Sequence, residues 1–136
     1  MSFFRGGSIG FLGAFGRSPD LRQLDDAFRK VDVHPKMMPE AVKLATVAIL
    51  REAASGASPG PGAFTAAAEI VGYCLIGAEA FAGANTAGLT EAVESRIDAA
   101  LASGSSLDAQ LVLLALHAGI VQPGVREAFA LESVTD

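Results

Sequence analysis

The sequence contains very few of the residues from which disulfides, metal centres and nucleophilic catalytic sites are built. Its 136 residues include one cysteine and two histidines, His34 and His117. Cys74 has no second cysteine to pair with, and its apolar neighbours Val71 and Leu75 indicate a buried thiol. The two histidines form no pair at metal-ligand spacing. We therefore expect a protein of a reducing, cytoplasmic compartment, with no cofactor and no metal site of recognisable pattern.

Charged residues are also scarce. They make up 18% of the chain, against about 25% in ordinary soluble domains, while hydrophobic residues reach 51%. A small domain needs a polar surface, so this deficit means either that alanine and glycine form much of the surface or that a second copy or another protein covers part of it. We expect a homo-oligomer, a dimer in the simplest case.

The charges are unevenly distributed along the chain. Residues 1–51 have a net charge of +3 and residues 52–136 a net charge of −8. This asymmetry could orient a partner unless the folded helices mix the charges.

Patterns typical of nucleotide or DNA binding are incomplete. No Gly-Lys-Ser/Thr sequence follows a glycine run, which argues against a P-loop. Near the C-terminus, Leu114, Gly119 and Val125 have the spacing of a helix-turn-helix. The second helix of that motif would offer only Gln122 and Arg126, in a half of the chain that is strongly acidic. We expect no nucleic-acid partner, and helix-turn-helix DNA binding is the less favoured alternative.

What the sequence does contain is a series of helix signals. Ser18 and Pro19 are typical of a helix start, and glycines such as Gly104 and Gly119 are typical of helix ends. The uncharged run inside the predicted helix from Ala63 to Ala82, at 70–78, is far shorter than the roughly 20 residues of a transmembrane segment, so none is expected. Residues 18–136 are predicted to form a single all-α domain, a compact bundle of five to six helices. The expected helices run from Ser18 to about Val31, Ala41 to Ala54, Ala63 to about Ala82, Leu89 to Leu101, Ser105 to Gly119 and Pro123 to about Leu131.

Residues 1–17 differ from the rest of the chain. Five glycines interrupt the apolar residues of this segment, which disfavours a helix and also a secretory signal peptide. We interpret it as an extended N-terminal arm whose aromatic side chains fill grooves on a helical bundle, its own or that of a second copy. Attachment to a membrane surface is the alternative. The residues expected to make these contacts are Phe3, Phe4, Phe11, Leu12 and Phe15.

Two hypotheses about function remain open. The first is a non-enzymatic interaction or scaffold protein that self-associates through the arm and the alanine-rich helices. The second is a helical domain that binds a small ligand or a metal in a pocket between helices. No catalytic residues are predicted. The candidate ligand-binding residues are Glu69, Tyr73, Glu79 and His117.

Overall fold

The computed structural model describes residues 18–131, and this part of the chain is helical throughout. It contains no strand, which confirms the predicted all-α class. Seven α-helices are present where five or six were expected, and a short 3-10 helix at Pro35–Met37 joins the first two. The predicted N-terminal arm lies outside the described residues. The helices are α1 (Pro19–Lys30), α2 (Glu40–Ala53), α3 (Pro61–Ile76), α4 (Ala78–Ala84), α5 (Ala87–Ser103), α6 (Leu107–His117) and α7 (Pro123–Ala128).

Helix α3 is the centre of the bundle. It packs against α1, α4, α5 and α6, and both Phe64 and Ile70 are almost completely buried. Apolar residues on nearly every side of α3 allow these contacts. Helix α2 was also predicted to be central, but it contacts α3 only slightly and leaves Leu44 exposed. Its apolar outer side is therefore part of the protein surface.

Helix α1 forms as its sequence predicts. The Ser18 side chain accepts a hydrogen bond from the Leu21 N–H, and Leu24 and Phe28 are fully buried. The chain leaves α1 through Asp32, which has a φ of 63°, and crosses close to α3. A Cβ atom at Gly72 would lie 3.2 Å from a Val33 methyl, so glycine permits this close approach.

The predicted helix from Ala63 to Ala82 is broken at Gly77, which corrects the sequence interpretation. Gly77 has a φ of 90°, in the region that favours glycine, and it separates α3 from α4. The Cys74 carbonyl, at the end of α3, accepts a hydrogen bond of 2.8 Å from the Gln122 N–H. The Gln122 side chain also packs against Gly77. The turn before α7 therefore occupies the break, which turns α4 so that the Phe81 ring meets the Tyr73 ring edge-on at 5.5 Å.

Helices α5 and α6 are joined by a tight turn. Helix α5 ends at Gly104, which is left-handed, and α6 begins after Ser106, whose side chain accepts a hydrogen bond from the Ala109 N–H. The sequence predicted that this helix begins at Ser105, and its N-cap in the structure is one residue later, at Ser106. The two helices meet at 92°, and α6 also packs against α2 and α3.

Substitution of Gly77 by alanine should destabilise the fold. The new methyl group would occupy an unfavourable φ and lie 3.1 Å from the Gln122 side chain, so the free energy of unfolding should fall by about 1–3 kcal/mol. Gly83→Ala, inside α4 with open space around it, should instead be neutral or slightly stabilising. Urea denaturation of both variants measures the difference, and equal stabilities would contradict the account of the break.

Candidate functional site

The four predicted ligand-binding residues have different surroundings in the structure. Glu69 and Tyr73 lie one turn apart on α3, and each is bonded to a different residue of α5. Glu79 lies on α4, beyond the helix break, and is exposed. His117 is exposed at the end of α6. The expectation that Glu69 and Glu79 share one helix is wrong because Gly77 separates them.

Tyr73 connects α3 with α5. Its ring is 1% exposed and contacts the rings of Phe81 and Phe129 edge-on. Its hydroxyl donates a hydrogen bond of 2.7 Å to the Glu94 carboxylate. Burial, followed by the hydrogen bond and the charge of Glu94, raises the pKa of Tyr73 well above its usual value. The hydroxyl therefore stays protonated and acts as a structural hydrogen-bond donor rather than as a general base.

Arg96 joins three helices. Its guanidinium donates to the Glu69 carboxylate on α3 at 2.9 Å and makes a two-point contact with Asp108 on α6, at 2.9 and 3.1 Å. It also donates to the Ala66 carbonyl at 3.0 Å. The three side chains are about one-fifth to one-quarter exposed, so water screens the ion pairs only partly. The Glu69 carboxylate is thus engaged in holding α5 and α6 against α3.

A second polar cluster joins α1 and α2. The buried Lys43 ammonium lies 3.1 Å from Asp25, 3.3 Å from Glu40 and 3.2 Å from the Pro35 carbonyl oxygen. These contacts compensate for the loss of water around a charge inside the protein. Lys43 was not singled out from the sequence, because a lysine on an apolar helix is expected to reach solvent.

Asp20 forms the other buried ion pair of α1. Its side chain is 4% exposed, and one carboxylate oxygen lies 2.6 Å from the exposed Arg51 guanidinium. The other oxygen accepts a hydrogen bond of 3.2 Å from the Ser58 hydroxyl. Across residues 18–131, no group of three or more histidine, cysteine, aspartate or glutamate side chains is placed to hold a metal ion.

Cys74 is buried in the core, as its neighbours predicted. Removal from water raises the pKa of its thiol to about 12. A reactive cysteine requires the thiolate and access to solvent. Cys74 has neither property and fills space in the core of α3.

The segment with helix-turn-helix spacing forms helices α6 and α7. Helix α7 has only six residues. The Gln122 side chain, which would have been one of two candidates for reading a base, instead accepts hydrogen bonds from the N–H groups of Gly124 and Val125 and caps this helix. Arg126 is exposed beside the acidic Glu127. The spacing is accounted for by the packing of two short helices.

The most unusual surface lies on α2 and α6, which pack side by side. Leu44 on α2 is 52% exposed and Leu113 on α6 is 47% exposed. The only charged residue in 41–50 is the buried Lys43, and 109–116 contains none. The exposed charged residues of α2 lie in its first turn, at Glu40, and in its last turn, at Arg51 and Glu52. We call the exposed residues between them, together with the exposed residues of α6, the α2–α6 face: Ala41, Leu44, Ala48, Gln110, Leu113 and His117.

Sequence reasoning placed the exposed apolar surface on the arm and on the alanine-rich helices. The alanine-rich α3 is instead buried at the centre. A signal for the α2–α6 face was present, since both 41–50 and 109–116 lack charged residues that could cover an outer side. Periodicity alone does not separate such a helix from a central one, because both have apolar residues all round.

Beside this face, α5 and α6 enclose a small apolar groove of about 150 Å³. We call it the α5–α6 groove. Leu101 forms one rim and is 43% exposed, while Leu113 forms the other. The remaining lining residues are small or aliphatic: Ala100, Gly104, Ala109, Val112 and Leu116.

No single helix in the described part of the chain is both long and apolar enough to cross a membrane. Helices α5 and α6 reach the required length and composition only as a pair, and the chain bends by 92° between them.

Comparisons of the chain with protein-family models, with curated proteins and with solved structures find no match.

Replacement of Arg96 should reveal how much its ion pairs stabilise the fold. Arg96→Met leaves Glu69 and Asp108 without their counter-ion, so the free energy of unfolding should fall by about 1–3 kcal/mol. The control is Arg29→Met, which removes an exposed ion pair with Asp26 and should cost less than about 0.5 kcal/mol. Equal losses in chemical denaturation would show that the Arg96 cluster has no special role.

The Cys74 thiol should be almost inert in the native protein. Because its pKa rises from 9.0 to about 12, the thiolate fraction at pH 8 is about a thousandfold lower than in an unfolded chain. Reaction with Ellman's reagent at pH 8 should therefore be slower by at least that factor than in guanidinium chloride. A comparable rate in the folded protein would contradict the burial of this residue.

Proposed function

We propose that this protein is a non-enzymatic helical interaction protein that associates with a second copy of itself through the α2–α6 face. The observation that carries the proposal is the exposure of Leu44 and Leu113 on two adjacent helices, in stretches (41–50 and 109–116) that expose no charged side chain. Uncharged apolar surface of this kind is typical of protein–protein contacts. Two copies related by a two-fold axis would bury the same residues on each other.

The free energy gained by covering the exposed leucines supports association. Covering a half-exposed leucine is worth on the order of 1 kcal/mol, and a symmetric dimer would cover both leucines of each copy. The exposed alanines that flank Leu44 along α2, Ala41 and Ala48, are small enough to let two helix pairs approach closely, and the face itself has no charged side chain. These gains must exceed the entropy lost on association, so we expect a dimer of moderate affinity.

The polar groups of the interior also favour an interaction function over catalysis. The Tyr73 hydroxyl, the Glu69 carboxylate and the Lys43 ammonium each bind a group on another helix. A catalytic acid or base needs a free position towards a substrate. These side chains are engaged in structural contacts and offer none.

The test is a charged residue in the middle of the face. Leu44→Glu should raise the dissociation constant of the dimer at least about tenfold, because two carboxylates would be placed in an apolar contact. Leu44 is preferable to Leu113 for this purpose, since Leu113 also lines the α5–α6 groove. Sedimentation velocity over a range of concentrations measures the association.

The matched control is Met37→Glu. Met37 is 54% exposed, as apolar and as accessible as Leu44, but it lies on the short helix before α2 and outside the face. This variant should self-associate like the unmodified protein. A protein that sediments as a monomer at every concentration would exclude self-association, and equal effects of both variants would exclude the α2–α6 face.

A further inference from the structure

The α5–α6 groove has the size and chemistry of a site for one aromatic ring. The groove is open to solvent on one side, and its volume of about 150 Å³ is enough for a benzene-sized ring. Ala100 and Ala109 on the two helices leave the space, and Leu101 and Leu113 flank it. None of the lining residues is charged, so entry of a ring removes no charged side chain from water and breaks no ion pair.

We propose that the segment 1–17 of the same chain packs across this groove and places one of its phenylalanine rings in it. The segment carries four phenylalanines, Phe3, Phe4, Phe11 and Phe15, which is half of those in the protein. Contact between a phenylalanine ring and the aliphatic groove removes apolar surface of both from water, which is favourable.

The segment joins the bundle at the end where α3 begins. Asp20, two residues after Ser18, accepts a hydrogen bond from Ser58, which lies three residues before the start of α3. The part of α5 that lines the groove lies near the same end of α3. Arg96 of α5 donates a hydrogen bond to the carbonyl of Ala66, in the first turns of α3. Ala100 follows Arg96 by one helical turn and lines the groove.

The length of the segment is sufficient. Seventeen extended residues reach up to about 58 Å, whereas a domain of this size is about 35 Å across. The covalent connection also raises the local concentration of the segment near the groove to the millimolar range. Its own groove is therefore favoured over that of a second copy at ordinary protein concentrations.

Charge favours the same contact. The segment has two arginines, Arg5 and Arg17, and no acidic residue, whereas residues 18–136 have eight basic and fifteen acidic residues. Asp98 is exposed on α5, three residues before Leu101, which lines the groove. An arginine of the segment can therefore approach Asp98, about one helical turn from Leu101, while a ring enters the groove.

Cross-linking in the full-length protein tests the contact. One cysteine replaces Gly13, between the phenylalanines of the segment, and a second replaces Ala109 in the groove. A short bismaleimide then joins thiols that lie close together, while the buried Cys74 stays unmodified. The control pairs Gly13→Cys with Ala82→Cys, at an exposed alanine on α4. Mass spectrometry counts the cross-links within one chain.

We expect about tenfold more cross-linking within one chain at position 109 than at position 82. Replacement of the four phenylalanines by serine should reduce the yield at 109 to that at 82. Equal yields in the unmodified segment, or no cross-link at 109, would overturn the proposal.

Mixing two singly substituted chains identifies the source of the segment. If chains with only Gly13→Cys form cross-linked dimers with chains that carry only Ala109→Cys, as readily as one chain links to itself, the segment of a second copy occupies the groove and the proposal is wrong. Leu113 borders both the groove and the α2–α6 face, and measurement in the Leu44→Glu background separates this inference from the proposed dimer. Loss of self-association there leaves the cross-link within one chain unchanged.

Discussion

The break between α3 and α4 is the constraint on which the rest of the bundle depends. At Gly77 the chain leaves the helical path, and the free Cys74 carbonyl at the end of α3 accepts the Gln122 N–H. One residue therefore fixes both the direction of α4 and the position of the turn before α7. The direction of α4 brings Phe81 onto Tyr73, which in turn reaches Glu94 on α5. A continuous helix through this point would leave the Tyr73 ring without that cover.

The distribution of polar groups explains the unusual surface. Several of the few charged side chains bind across helix boundaries: Lys43 and Asp25 join α2 to α1, and Arg96 joins α5 to α3 and α6. Side chains used in this way cannot cover the outer sides of α2 and α6. Even fewer charged side chains are therefore left for the surface than the composition suggests, and Leu44 and Leu113 remain in contact with water. The proposed association follows from this arrangement.

The candidate ligand-binding residues show which contacts cannot be derived from the sequence. Glu69 and Tyr73 were predicted to bind a ligand, and in the structure their hydrogen-bond partners are Arg96 and Glu94, which lie more than twenty residues away in the chain. Such pairs depend on which side of α5 faces α3, and spacing within one helix does not contain that information. The choice between a pocket and a set of helix contacts is made by tertiary packing.

By itself the sequence determined the local features: the all-α class, the start of α1 at Ser18 and the end of α5 at Gly104. Each depends on hydrogen bonds or backbone angles within a few residues, which composition and spacing encode directly. Only the tertiary structure decided that α3 ends at Gly77, that α2 lies at the surface and that Arg96 binds two carboxylates. These outcomes depend on contacts between distant segments, because burial and ion pairing are properties of the packed bundle rather than of any one helix.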